Sequence, residues 1–129
     1  GSCMIVVATD APLDARNLER LAKRAFMGLA RTGGIASNGS GDYVIAFSVA
    51  EENLIDSRES SPLKAGSFLS NDAVSPLFLA AIEATEEAIL NSLFAAHTMK
   101  GMDGHIVESL PLEEVIKIMR KYNKISNDE

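Results

Sequence analysis

Met4-Ile5-Val6-Val7-Ala8, a helical pattern over residues 15–31, and Tyr43-Val44-Ile45-Ala46-Phe47-Ser48-Val49 together decide the fold. The first run is apolar and rich in β-branched side chains, with no polar alternation. That predicts a strand buried on both faces. Thr9-Asp10-Ala11-Pro12 closes it, because Pro12 has no N–H to give to a ladder. Over residues 15–31, Leu18, Leu21, Ala22, Ala25 and Leu29 recur at steps of three and four. Arg16, Glu19, Arg20, Lys23 and Arg24 crowd the opposite side. This is the stripe of an amphipathic helix, capped by Asp14 and stopped at Gly33-Gly34. A glycine-rich connection over 32–42 then leads to the second apolar strand. The opening segment thus reads strand, helix, glycine-rich turn, strand.

Beyond it the signals change. Residues 51–75 carry Ser, Asn, Glu, Asp and Pro62 with little periodicity. They predict a long loop, with a short strand near 66–69 or a lid, since a structureless run of that length is unusual inside a compact domain. Ser75-Pro76 predicts a cap and a first helical residue. The following helix runs to Gly101, with Leu77, Ala81, Ala84, Ala88, Ile89, Ser92 and Ala96 on one face and Phe78, Ile82, Leu93 and Phe94 beside it. Gly101-Met102-Asp103-Gly104 reads as a turn. A short strand is expected at 105–107. A last helix opens at Pro111 and turns Val115, Ile116 and Met119 inward. Residues 123–129 read as a frayed tail. The fold class expected is α/β in the α+β sense, as one domain over 1–129.

Composition narrows the function. The chain has 129 residues, 47% of them hydrophobic and only 5% aromatic, so aliphatic side chains and Ala must fill the core. The net charge is −6. An acidic balance repels phosphate backbones, which argues against a nucleic-acid partner. No basic amphipathic stripe points to a membrane surface. The apolar stretch at 76–98 is interrupted by Glu83, Glu86 and Glu87, so it does not read as a span. The run at 4–8 is too short for a signal-peptide core. A cytoplasmic location is expected, or a periplasmic one if a preceding segment carries a signal. Cys3 is the single cysteine, so no intrachain disulfide can form.

The candidate chemistry is sparse. His97 and His105 lack metal-site spacing and read as surface or helix-end residues. Gly34 and Gly39 have the spacing of a phosphate-binding loop, but Ser40 stands where the lysine that neutralises phosphate would be. A tight turn is the better reading. Ser40 and Asp42 are two apart at the start of a strand, so both point to one side. A hydroxyl and a carboxylate so placed make a small polar relay. Cys3, at the edge of an apolar strand, has nothing nearby to lower its pKa and reads as a buried structural thiol. Gly1-Ser2 is open to three readings: a vector scar, a chosen boundary, or a fragment generated from a longer precursor. If the bond between them is cut, Ser2 carries a hydroxyl and a free α-amine. An α-amine has a reference pKa of roughly 7.7–8.0, so it can serve as base toward the hydroxyl without histidine or metal.

Several separate blocks carry a resemblance. They are the residues from Gly1 through Leu13, then Gly28-Leu29-Ala30-Arg31-Thr32-Gly33, then Asn38-Gly39-Ser40-Gly41-Asp42. Ser75-Pro76-Leu77-Phe78 and Glu83-Ala84-Thr85-Glu86-Glu87-Ala88-Ile89-Leu90-Asn91 follow in order. Together with the 101–104 turn and the closing helix, they resemble the DmpA-type aminopeptidases, also called the L-aminopeptidase/D-esterase family. The resemblance implies an α-β-β-α sandwich like that of N-terminal nucleophile hydrolases, completed by a separate α chain. It implies a precursor that cleaves itself before a serine, with this chain as the β subunit and Ser2 as the catalytic nucleophile. It matches Ser40 and Asp42 to the hydroxyl and acidic pair that orients that nucleophile. The implied reaction releases N-terminal residues from peptides, amides or esters through an acyl-enzyme and calls for no cofactor and no metal. Higher assembly of αβ pairs is implied as well. Two rival readings stand beside it: an acyltransferase of the same architecture, with an amine as acceptor, and a non-catalytic assembly module.

Overall fold

The computed structural model describes residues 2–58 and 60–126. Gly1, on one side of the expected cleavage bond, and 127–129, the end of the expected frayed tail, lie outside the described residues. The chain divides into two compact units, residues 1–88 and 89–129.

In the first unit, β1 (Met4–Thr9), α1 (Ala15–Arg31) and β2 (Tyr43–Ser48) form a β-α-β segment. The strands pair in parallel, from Met4 opposite Tyr43 to Thr9 opposite Ser48. A parallel pair needs a crossover, and α1 supplies it. The helix has the boundaries its periodicity predicts. Asp14 Oδ1 accepts the N–H of Asn17 at 2.7 Å, which satisfies one of the orphan donors of the first turn. At the other end the Gly33 N–H reaches the Ala30 carbonyl and the Gly34 N–H reaches that of Leu29. This is a Schellman closure, and Gly33 takes the left-handed φ of +93° that it requires.

Leu13, Leu21, Val74 and Ala81 form the core, with Val7, Ala11, Leu18, Leu69, Leu77 and Phe78 packed around it. On α1, Asn17 and Gly28 are buried together with Leu21 and Ala25, while Leu18, Ala22 and Leu29 of the expected stripe are half-buried. Gly28 lies against the 21-residue helix α2 (Ser75–Ala95), at Ile82 and Thr85. The Arg20 and Arg24 guanidiniums lie 5.0 and 4.1 Å from the centre of the Phe78 ring, covering its outer face.

The expectation that β1 is buried on both faces is corrected. Ile5 is buried and Val7, Val44 and Ala46 are half-buried on the face toward α1, but Met4, Val6 and Ile45 are 69%, 65% and 55% exposed. Tyr43 and Phe47 are exposed beside them. Within this chain the helix covers one face of the sheet and leaves an apolar face open.

Residues 66–69 form no strand. Leu69 donates its N–H to the Pro12 carbonyl at 2.9 Å, a single bond with no ladder around it. The neighbouring chain is tied instead by Asn53, whose side chain donates to the Ser67 carbonyl and accepts the Ser67 N–H. Short 3-10 turns occupy Glu51–Asn53 and Asn71–Val74. Because the second runs straight into α2, Ser75 already has helical backbone angles and is not the expected cap. On α2, Ala81, Ile82 and Thr85 are buried, while Ala84 and Ala88 of the same expected face are exposed within this chain.

In the second unit α2 ends at Ala95, short of the expected Gly101. Met99–Lys100 (β3) instead pairs antiparallel with Ile106–Val107 (β4) across the 101–104 turn. Asp103 and Gly104 take positive φ in that turn. Helix α3 spans Leu112–Lys121; Val115 is half-buried, but Ile116 and Met119 are exposed. Among the described residues, no helix is long and apolar enough to cross a membrane.

Candidate active site

The parallel register has a chemical consequence at its open end. Two residues before Met4 and Tyr43, the chain sets Ser2 beside Gly41 and Cys3 beside Asp42. The Tyr43 N–H donates to the Cys3 carbonyl at 3.2 Å, and the Cys3 N–H donates to Asp42 Oδ1 at 2.7 Å. A side-chain carboxylate therefore continues the ladder beyond its last backbone pair. One step further, the Gly41 N–H donates to Ser2 Oγ at 2.9 Å. Ser40 is held in a turn by its own N–H, which donates to the Ser37 carbonyl at 2.8 Å. Its side chain lies close enough to the Asp42 carboxyl to favour the ionised form.

Ser2 is exposed, whereas Cys3, Ser40 and Asp42 are half-buried. The carboxyl of Asp42 is held below its usual range, first by the Ser40 hydroxyl and then by the Cys3 N–H, both of which favour the ionised form. The structure thus gathers all three residues singled out in the sequence, Ser2, Ser40 and Asp42, at one end of the sheet. Asp42 couples Ser40 to the backbone of the residue after Ser2. Sequence reasoning passed over Gly41. Once the two strands are known to be parallel, counting back two residues from Tyr43 would have found it. Cys3, expected to be buried, is half-buried, and its backbone rather than its thiol takes part. His97 and His105 are exposed and lie in the second unit. Among the described residues, no group of three or more His, Cys, Asp or Glu side chains is placed to hold a metal ion.

A carboxylate with a depressed pKa stabilises the fold above its unfolded value, about 3.9 for Asp, and loses that contribution as pH falls through the folded value. The clamp on Cys3 should therefore hold through mildly acid pH. In the full-length protein, Asp42→Asn should lower the melting temperature by a constant amount above about pH 5. That difference should vanish at the acid end, where Asp42 is itself protonated. Melting curves between neutral and strongly acid pH test this; a difference that never narrows would place the stabilisation elsewhere.

The chain is thus a mixed helix-and-strand fold with a serine hydroxyl at the head of a parallel strand pair. The chain belongs to peptidase family S58, whose model matches residues 1–107. It is 43% identical, over 98% of its length, to a beta-peptidyl aminopeptidase, BapA, of Sphingosinicella microcystinivorans. Among solved structures, it is similar to the PH0078 protein of Pyrococcus horikoshii, with 52% identity, a TM-score of 0.83 and 94% of this chain covered. It is also similar to the L-aminopeptidase D-Ala-esterase/amidase of Ochrobactrum anthropi, a variant of the Ntn hydrolase fold, with 34% identity, a TM-score of 0.81 and 95% of this chain covered. The expected fold class and the DmpA-type resemblance both hold. The chain spans about a third of the length of these relatives, 31% of the first and 34% of each of the other two.

Proposed function

We propose that this chain is the nucleophile-bearing β subunit of a self-processing serine aminopeptidase. The observation that carries the proposal is the placement of the Ser2 hydroxyl, exposed and hydrogen-bonded, beside the Ser40–Asp42 pair. Relatives named as aminopeptidases support the reaction class. Ser2 Oγ first adds to the carbonyl of the residue before it, the C–N bond to Ser2 breaks as the acyl group moves to the oxygen, and water hydrolyses that ester, which leaves Ser2 with its hydroxyl and a free α-amine. Ser2 Oγ then adds to the carbonyl carbon of the N-terminal residue of a peptide, amide or ester, and its proton passes to that amine. Collapse breaks the bond to the leaving amine or alcohol, which takes the proton, and an acyl-enzyme remains. Water adds to the ester carbonyl, giving its proton to the α-amine; the Ser2 oxygen leaves and is reprotonated. Asp42 fixes the backbone at Cys3 and orients Ser40, so the nucleophile sits on a rigid strand end.

The experiment is rapid acid quenching of the full-length protein during turnover of an amino-acid ester, followed by peptide mapping. An acyl group on the peptide that begins at Ser2 is the expected result. Turnover with no adduct there, and with the bond before Ser2 intact, would reject the proposal. Supplying an amine acceptor in the same experiment separates hydrolysis from acyl transfer.

The open sheet face suggests the partner. A parallel pair is stable only when both faces are covered, and Met4, Val6, Tyr43, Ile45 and Phe47 leave one uncovered. About two-thirds of the length of these relatives lies outside the matched part. The proposed occupant is the α chain cut from the same precursor, which lays an apolar surface on this face. Ile45→Asp, expressed in the full-length protein, should prevent the two chains from co-eluting on gel filtration. Retention of the pair at wild-type yield would count against this face.

A further inference from the structure

We infer that Gly41 is a positioning residue for the Ser2 oxygen, acting through its N–H and through its missing side chain. The inference rests on the reading of Ser2 as nucleophile. Two observations carry it, and neither belongs to the Ser40–Asp42 pair that flanks Gly41.

The first is the 2.9 Å hydrogen bond from the Gly41 N–H to Ser2 Oγ. An oxygen that accepts a bond from a fixed backbone donor has one lone pair occupied and one rotamer preferred. Its own proton is directed elsewhere, toward the α-amine once that group is free. The donor also favours negative charge on Oγ. Charge develops there as the proton leaves for the amine, and again when Oγ departs as the leaving group from the acyl-enzyme. Gly41 sits on a chain already fixed by the Tyr43–Cys3 and Asp42–Cys3 bonds, so the donor needs no rearrangement during reaction.

The second observation concerns space. Gly41 does not have the left-handed φ that would demand glycine. Among the described residues, its chain neighbours Ser40 and Asp42 aside, a Cβ placed on it would lie 3.4 Å from Ser2 Oγ and 4.0 Å from Ser2 Cβ, with no other atom within 4 Å. Both distances are ordinary van der Waals contact, so the methyl group would be tolerated there, and among those residues it would touch the nucleophile alone. A carbonyl carbon must come within about 3–3.5 Å of that same oxygen to react. Glycine at 41 therefore keeps one flank of the nucleophile open to the acyl group, and the bulk tolerated on the residue being released depends on it.

Two variants of the full-length protein separate the two roles. Replacing Gly41 by glycolic acid through nonsense suppression exchanges the N–H for an ester oxygen and adds no side chain. It should lower kcat about 10- to 100-fold, with KM unchanged, for glycyl and leucyl p-nitroanilides alike. Gly41→Ala keeps the donor and adds the methyl group. It should melt within a few degrees of wild type and lose activity selectively, with the loss for the leucyl substrate at least about 10-fold greater than that for the glycyl one. Wild-type kcat in the ester variant, or a Gly41→Ala loss independent of acyl size, would overturn the inference. If Ser2→Ala abolishes turnover while both Gly41 variants behave as wild type, only the role of Gly41 falls. If Ser2→Ala stays active, both readings fall.

Discussion

Alanine in place of Ser2 is expected to leave the full-length protein both uncut and inactive. Under the proposed mechanism a single oxygen performs two reactions, attack on the peptide bond that precedes it and attack on substrate. One substitution should remove both. The loss of turnover should be at least about 10⁴-fold, the scale seen when a covalent nucleophile is deleted from a serine hydrolase. Ser2 is exposed and outside the core, so the variant should fold. Intact mass and release of p-nitroaniline give the two readings from one sample. Precursor mass with no release is the expected pair. Separate loss of one activity would mean that two different groups do the work.

The second large effect is on stability. Gly28→Ala adds one carbon to α1 at the point where it meets α2. A Cβ there would lie 2.5 Å from the Ile82 carbonyl oxygen, 2.7 Å from Thr85 Cβ and 3.1 Å from the Glu86 N. Two of these three atoms are backbone, and they cannot rotate out of the way. Thr85 is buried and its hydroxyl is bonded back to the Ala81 carbonyl at 2.7 Å, so it too is held. The usual gain in helix propensity on replacing glycine by alanine, roughly 1 kcal/mol, should be outweighed. Overpacking against a fixed wall costs about 1–3 kcal/mol, and here part of that wall is main chain. Thermal or urea unfolding of the full-length protein should show a clear net loss. A stabilised variant would mean that the two helices stand further apart at Gly28 than described.

The elements with strong local signals were legible. The bounds of α1 were readable because its stripe, its Asp14 cap and its glycine stop agree with one another. β3 was not, because Met99 and Lys100 follow helical residues with no breaker before Gly101. Their strand exists only through pairing with Val107 and Ile106, a contact that no local pattern announces. Asn17 illustrates another limit. A polar side chain on a helix reads as solvent-facing, yet it is buried because its oxygen accepts from Arg20 at 2.7 Å. The exposed faces of β1, α2 and α3 show the reverse: apolar patterning announces burial without saying which chain provides it.

The candidate site was legible by a different route. Spacing alone put Ser40 and Asp42 on one side, but it left Gly1-Ser2 as two residues of ordinary appearance at the head of a chain. Resemblance to a family tied them together. The geometry adds what neither could supply, namely the Cys3–Asp42 clamp and the Gly41 donor. Both depend on a pairing between residues 39 apart in sequence.

Exposure along the first strand alternates from Ser2 onward: Ser2 and Met4 outward, Cys3 and Ile5 toward the helix. Placement of the Ser2 hydroxyl, the proposed nucleophile, is therefore a matter of phase as much as identity. One peptide unit added or removed between Ser2 and Met4 would preserve every motif and nearly every atom. It would nevertheless rotate the hydroxyl half a turn, away from Gly41 and under the sheet. Parity, an integer property of the chain, decides whether this serine can react at all.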